Sequence, residues 1–342
     1  MSLRKALGEA VQGHEVPAPL LAAAFDEIMA GGAPEAAIAG LLVALRTKGE
    51  TVGEIVAAAR ALRAHADAAC ADPRAVDTCG TGGDGAETFN VSTAAAFVVA
   101  GGGVPVAKHG NRSASSRCGS IDVLEGLGVR VELSTAQSAR LLAEVGVAPF
   151  YARRAHPAMR HVAAVRAALG IRTLMNCLGP LLNPVGVRHQ LVGVYDADLV
   201  EPLAEALGQL GTRRALVVHG DDGLDEITTT AETRAALFAE GRVTRLRLAP
   251  EQVGLARSRP DDLRGGDLEG NVAIVRAILA GEPGPRRDVV LANAGAALWV
   301  AGAAPDWAAG VAAARESLDS GAAAAKLAAL VAASTALERA DA

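Results

Sequence analysis

The 342-residue sequence predicts an α/β protein in which a small N-terminal helical domain precedes a large domain with a mostly parallel central sheet. Two patterns carry that prediction. Residues 1–70 place apolar side chains at helical spacing between Gly and Pro punctuation, whereas from Ala75 onward short apolar runs of strand length alternate with helical ones. Strands separated by helices pair in parallel and are covered on both faces, so they read as unbroken apolar runs. A chain of this length can bury a core large enough for both units.

Pro19 opens a predicted helix that runs to Ala30 and stops at Gly31-Gly32, and Pro34 opens a second toward Lys48, with Gly49 as its stop. Thr51-Val52-Gly53-Glu54 has the capping-box spacing, and Ile55, Val56, Ala59 and Leu62 follow on one helical face. Cys70 to Arg74, with Pro73, reads as a hinge, which puts the domain boundary between residues 70 and 71. Val76 to Cys79 is the first predicted strand, and Ser92-Thr93 is expected to cap a helix over Ala94–Ala100. Val104 to Ala107 is the next strand, and Asp122 is expected to cap Val123–Leu127. Arg160–Leu169 is helical, Leu191–Tyr195 and Ala215–His219 are buried strands, 251–270 is a long surface loop, and Val289–Val300 is a packed helix.

Composition narrows the function classes. A net charge of -5 with 3% aromatic residues argues against a general nucleic-acid binder, which needs a basic excess. The longest apolar stretch, Thr93 to Ala107, is shorter than the ~20 residues that cross a bilayer. The N-terminal segment lacks an apolar signal core, and Cys70, Cys79, Cys118 and Cys177 form no Cys-x-x-Cys pair. Reduced thiols in a cytoplasmic protein, with no membrane contact, are the expectation.

Chemistry concentrates between Asp77 and Ser120. One loop carries Gly80, Gly82, Gly83 and Gly85, where backbone can approach an anion closely, and a second gathers Lys108, His109, Arg112, Ser113, Ser115, Ser116 and Arg117. Amides, hydroxyls and cations in that mixture suit an oxygen-rich, highly charged ligand such as a phosphorylated sugar or nucleotide. Gly80-Thr81-Gly82-Gly83-Asp84-Gly85 also satisfies Gly-x-Gly-x-x-Gly, but no acid stands between Gly101 and Asp122 to take a ribose, and no Gly-Lys-Ser/Thr follows for a Walker loop. Adjacent Asp225 and Glu226 read either as oxygen ligands for a divalent cation or as a helix N-terminal acid pair. An exposed surface role is the default for Arg166, and a structural one for His109 and His156.

Gly80–Asp84, Asn90–Thr93 and Lys108–Ser116 resemble the phosphoribosyl-pyrophosphate site of the anthranilate phosphoribosyltransferase family. The resemblance continues through His156-Pro157-Ala158-Met159, Gly170-Ile171-Arg172-Thr173, Asn176–Pro180, Val218-His219-Gly220, Gly223–Glu226 and Gly265-Gly266-Asp267 with Asn271. It implies a fold of the nucleoside phosphorylase/phosphoribosyltransferase type. It also implies a homodimer formed mainly through the helical domain, with a later helical segment near residues 160–185, and magnesium as cofactor, with two ions. The implied reaction transfers the phosphoribosyl group of phosphoribosyl pyrophosphate to the amine of anthranilate, a step of L-tryptophan biosynthesis.

Carried over position by position, the resemblance places phosphoribosyl pyrophosphate on Gly80, Gly83, Asp84, Thr88, Asn90, Val91, Ser92, Thr93, Lys108, His109, Gly110, Asn111, Arg112, Ser113, Ala114, Ser115, Ser116 and Ser120. Anthranilate falls to Gly80, Asn111 and Arg166, and the metal to Ser92, Asp225 and Glu226. Two departures stand out: Ala152-Arg153-Arg154-Ala155 ahead of the His-Pro motif, and Cys118 at a position expected to be small and polar. Rival readings are a pyrimidine nucleoside phosphorylase, which has no need of Asp225-Glu226 or Arg166, and a non-catalytic nucleic-acid-binding relative, which would lose those groups and gain basic surface.

Overall fold

The computed structural model describes residues 1–112 and 118–340. Helices Ser2–Val11, Ala18–Met29, Glu35–Lys48 and Val52–Ala64 form the N-terminal unit. The capping box is present: Thr51 Oγ1 accepts from the Glu54 amide at 3.2 Å, and the Glu54 carboxylate accepts from the Thr51 amide at 2.9 Å. Glu54, with no exposed surface, also accepts from the Val16 amide and pairs with Lys48, so one carboxylate ties three segments together. Later helices Arg160–Leu169 and Leu174–Leu178 bury Val162, Val165, Leu174 and Met175 in the same core.

Seven strands form one sheet: β1 Val76–Gly80, β2 Val106–Gly110, β3 Val147–Tyr151, β4 His189–Gly193, β5 Arg214–Gly220, β6 Thr233–Ala239 and β7 Arg242–Leu248, in the order β3-β2-β1-β4-β5-β6-β7. β1 to β5 run parallel, and β6 and β7 are added antiparallel. Side chains on successive residues of a strand face opposite ways. Along β5, accordingly, Leu216 and Val218 join the core with helices Val91–Gly101 and Pro285–Val300, while Ala215 and Val217 join the core of the N-terminal unit and helix Val200–Gln209. The helical unit therefore packs on one face of the sheet.

The chain leaves β1 toward β2 and β3, then returns to β4 on the other side of β1 and continues outward. The direction of winding reverses between β1 and β4, and the crevice beyond the carboxyl ends of such a strand pair is where open α/β sheets bind ligands. Several local expectations shift. Helix Val91–Gly101 begins at Asn90, so Ser92 and Thr93 lie inside its first turn rather than capping it. Asp122 is likewise inside helix Ser120–Gly126, reaching back to the Gly119 amide at 2.9 Å. The 251–270 stretch is interrupted by short 3-10 turns at Pro250–Val253 and Pro260–Leu263, and helix Leu268–Leu279 starts within it, capped by Asp267. Among the described residues no single helix is long and apolar enough to cross a membrane.

Candidate active site

Gly80 and Gly193 end β1 and β4 side by side, and both owe their identity to Asp225. A Cβ at position 80 would stand 2.5 Å from Asp225 Oδ2, and one at 193 would overlap the Asp225 carbonyl oxygen. The segment carrying Asp225 is held over the strand ends by Asp222, which accepts from the Leu224 amide at 3.3 Å and the Thr228 hydroxyl at 2.6 Å. On its far side, buried Asn293 brackets the Ile227 peptide unit.

The first glycine loop folds onto this acid. Gly82, Gly83 and Gly85 have φ of 65°, 78° and 75°, a left-handed run that side chains beyond hydrogen disfavour. The Gly82 amide donates to Asp225 Oδ2 at 2.7 Å, and Asp84 Oδ2 accepts from the Asp225 amide at 3.5 Å. The Thr81 amide donates to the Gly193 carbonyl at 2.9 Å, which fastens the loop across the β1–β4 gap. Thr88 lies beyond the loop, bridged to Arg264.

Ser92 joins the second half of the site to the first. Its amide donates to Glu226 Oε1 at 3.2 Å, and its hydroxyl accepts from Lys108 Nζ at 3.2 Å. Asn90 makes no side-chain cap on helix Val91–Gly101, so the helix presents an N-terminus suited to an anion. Val91 and Thr93 in that first turn are buried. Lys108 is 3% exposed and also donates to the Thr78 carbonyl at 2.7 Å. Burial lowers its pKa, opposed by the nearby Asp77, Cys79 and Glu226. Beneath it, Asp77 accepts from the His109 amide at 3.1 Å and from Asn183 at 2.9 Å. Burial pushes Asp77 up to about 6 despite Lys108. Asp225 is raised by burial and then by the like charges of Asp84 and Glu226, and Glu226 is raised by burial although Lys108 opposes it.

Among the described residues no three His, Cys, Asp or Glu side chains form a metal-binding group. Magnesium asks for less than that, since one or two carboxylates with substrate phosphates and waters complete its octahedron. Two adjacent half-buried acids and a third within their field repel one another, which a cation would relieve, and the Ser92 hydroxyl adds a further hard oxygen donor. The residues fit that ion.

The basic loop is only partly described, because Ser113, Ala114, Ser115, Ser116 and Arg117 lie outside the described residues. At its stem, a Cβ on Gly110 would overlap the Ser120 hydroxyl, which donates to the Asn111 carbonyl at 3.4 Å. The Arg112 guanidinium turns toward Asp122 at 2.9 Å and Glu125 at 2.8 Å, and lies 5.7 Å from the Tyr151 ring centroid. His109 and His156 meet edge to face at 5.3 Å, each with a buried Nε2 that has no hydrogen-bond partner among the described residues. Arg166 stands half-buried in the last turn of its helix, with burial lowering its pKa and no hydrogen bond to the acid cluster among the described residues. Asn183, Asn293 and Arg172 were absent from the sequence-derived site. Asn293 had a visible signal, the one polar side chain in the apolar run Val289–Val300.

The sequence matches the family described as glycosyl transferase family, helical bundle domain, over residues 4–66, and the family described as glycosyl transferase family, a/b domain, over residues 72–324. An anthranilate phosphoribosyltransferase of Rubrobacter xylanophilus is 54% identical over 326 residues, covering 95% of each chain. The crystal structure of anthranilate phosphoribosyltransferase from Thermus thermophilus superposes with a TM-score of 0.92 at 44% identity, covering 96% of this chain and 99% of that one. The Saccharomyces cerevisiae enzyme in complex with PRPP and Mg gives a TM-score of 0.89 at 26% identity over 98% of both chains. The chain belongs to this two-domain glycosyl transferase family and, within it, to the anthranilate phosphoribosyltransferases.

Proposed function

We propose that the chain transfers the 5-phosphoribosyl group of phosphoribosyl pyrophosphate to the amine of anthranilate, releasing pyrophosphate, in L-tryptophan biosynthesis. One observation carries the reading: Ser92 joins Lys108 and Glu226 at the winding reversal of the sheet, where the glycine loop is pinned to Asp225. Amides, a buried cation and carboxylates meet there, the groups a diphosphate and its metal ion require.

The new bond joins the anthranilate nitrogen to the ribose anomeric carbon, the bond from that carbon to the pyrophosphate oxygen breaks with its electron pair leaving on pyrophosphate, and the nitrogen then passes a proton to water. An aromatic amine is neutral and nucleophilic near pH 7, so no catalytic base is assigned. The work of the site is to hold two substrates in line and to balance charge on the departing diphosphate. Gly80, Gly83, Asp84, Thr88, the first turn from Asn90 to Thr93, Lys108 to Ser116 and Ser120 bind phosphoribosyl pyrophosphate. Asn111 and Arg166 orient anthranilate beside Gly80, with Arg166 pairing its carboxylate. Ser92, Asp225 and Glu226 hold magnesium, as two ions, which when bound neutralises diphosphate charge.

Residues 1–70 with the segment near 160–185 form the dimerising unit, and 71–342 the phosphoribosyl-pyrophosphate-binding domain of a cytoplasmic homodimer. Exposed Val11 and Val43 on the helical unit support a contact there. The test is direct. Purified protein with anthranilate, phosphoribosyl pyrophosphate and Mg²⁺ should deplete anthranilate fluorescence. Phosphate-dependent nucleoside cleavage in its place would overturn the reading.

A further inference from the structure

The glycine loop is gripped from two sides, and only one grip belongs to the acid cluster. Arg172 lies between helices Arg160–Leu169 and Leu174–Leu178, whose apolar residues pack in the core of the helical unit. Its guanidinium crosses to the α/β domain in two ways. Nη2 donates to the carbonyl of Gly83, and the guanidinium carbon stands 4.2 Å from the centroid of the Tyr195 ring, just past β4. Tyr195 is itself tied to the loop, its amide donating to Thr81 Oγ1 at 3.0 Å. The ring is nearly buried and offers a fixed platform.

At its three left-handed glycines the loop has no side chain to hold its shape, so the amide of Gly82 and the carbonyl of Gly83 are held by groups from outside the loop. Asp225 holds the Gly82 amide and Arg172 holds the next residue's carbonyl. A planar guanidinium can lie flat on a ring and donate at its edge together, which an ammonium cannot.

We infer that Arg172 is a positioning residue: clamped between Tyr195 and the Gly83 carbonyl, it ties the diphosphate loop to the helical unit, so that grip on phosphoribosyl pyrophosphate depends on how that unit sits. The consequence for substrate rests on the proposed function; the tether does not.

Two measurements separate these. In Arg172→Met, amide hydrogen exchange at Thr81 and Gly82 should quicken with the melting temperature unchanged, a readout that needs no substrate. The same variant should raise the KM for phosphoribosyl pyrophosphate about tenfold, the loss of one hydrogen bond and one stacking contact, and leave the anthranilate KM within about twofold. Arg172→Lys should recover part of that loss, and Tyr195→Leu combined with Arg172→Met should cost less than the sum of the two. Unchanged exchange, an unchanged phosphoribosyl-pyrophosphate KM, or equal rises in both KM values would overturn the inference. Wild-type protein that shows no turnover would overturn the proposed function while exchange still decides the tether.

Discussion

The side-chain amide of Asn293 brackets the peptide unit of Ile227: its Oδ1 accepts from the Ile227 amide at 3.0 Å and its Nδ2 donates to the Ile227 carbonyl at 2.8 Å. Asn293 has no exposed surface and also donates to Val289 within its own helix. Since Glu226 precedes Ile227, the helix Pro285–Val300 sets where both acids sit.

Asn293→Ala should therefore hurt stability and activity together. Two backbone groups of Ile227 lose their partner in the core, a cost of about 2–4 kcal/mol. Denaturant unfolding should show that loss, and kcat should fall because Asp225 and Glu226 drift. Asn293→Asp should be no better, because a carboxylate cannot donate to the Ile227 carbonyl. Unfolding at the wild-type midpoint would mean that the bracket contributes little.

Asp225→Asn with Glu226→Gln separates fold from function. Both acids have pKa values raised above the unfolded ones by burial and like charge. Their folded forms hold protons that the unfolded chain has released, so their stability contribution is present at low pH and lost as pH rises through the raised values. Neutral isosteres remove that loss, and in metal-free buffer near pH 8 the double variant should unfold at equal or higher denaturant than wild type. Toward pH 4 the difference should vanish. Turnover with Mg²⁺ should drop by at least about 10²-fold. A normal magnesium response would remove both acids from the metal site.

What could be read from the sequence was local. The Thr51–Glu54 box, the helix stops at glycine and the strands feeding the two loops each depend on neighbours a few residues apart. β3 escaped notice because Val147–Tyr151 is five residues with a proline, and β6 and β7 because their alternation is broken by arginines and alanines. A serine before an apolar run is a cap by default, which is why the sequence predicts one at Ser92 although the helix starts after Asn90. The Ser92 hydroxyl and amide are taken by Lys108 and Glu226, partners remote in sequence. Asn293 with Ile227 and Arg172 with Gly83 are also pairings across the fold, and residue type alone announces neither.

Arg166 is the sharpest test of the acceptor side. It is half-buried and, among the described residues, no carboxylate pairs with it. A guanidinium kept charged there is suited to a carboxylate that arrives with a ligand. Arg166→Ala should raise the anthranilate KM by about 10²-fold, the scale of a charge-assisted pair, and shift the phosphoribosyl-pyrophosphate KM by no more than about twofold. Thermal stability should hold or improve, because a desolvated charge is removed. Equal weakening of both substrates would contradict the assignment.

His109 predicts a pH dependence of the fold that is separate from catalysis. Burial lowers its pKa to about 3, helped by the His156 and Lys108 charges and opposed by its hydrogen bond to the Gly179 carbonyl. The group is neutral when folded and charges near pH 6.5 when unfolded, so the unfolded chain takes up the proton first as pH falls. A depressed pKa contributes stability that is present above about 6.5 and is lost as pH drops toward 3, to an upper bound of about 5 kcal/mol. His109→Asn retains a donor for Gly179 and removes the titration. Urea unfolding from pH 7 to pH 4 should then show wild type losing stability faster than the variant, so that any gap between them narrows with acid. Parallel curves over that window would mean that His109 takes up its proton in the folded protein at the same pH as in the unfolded chain, so that burial does not depress its pKa.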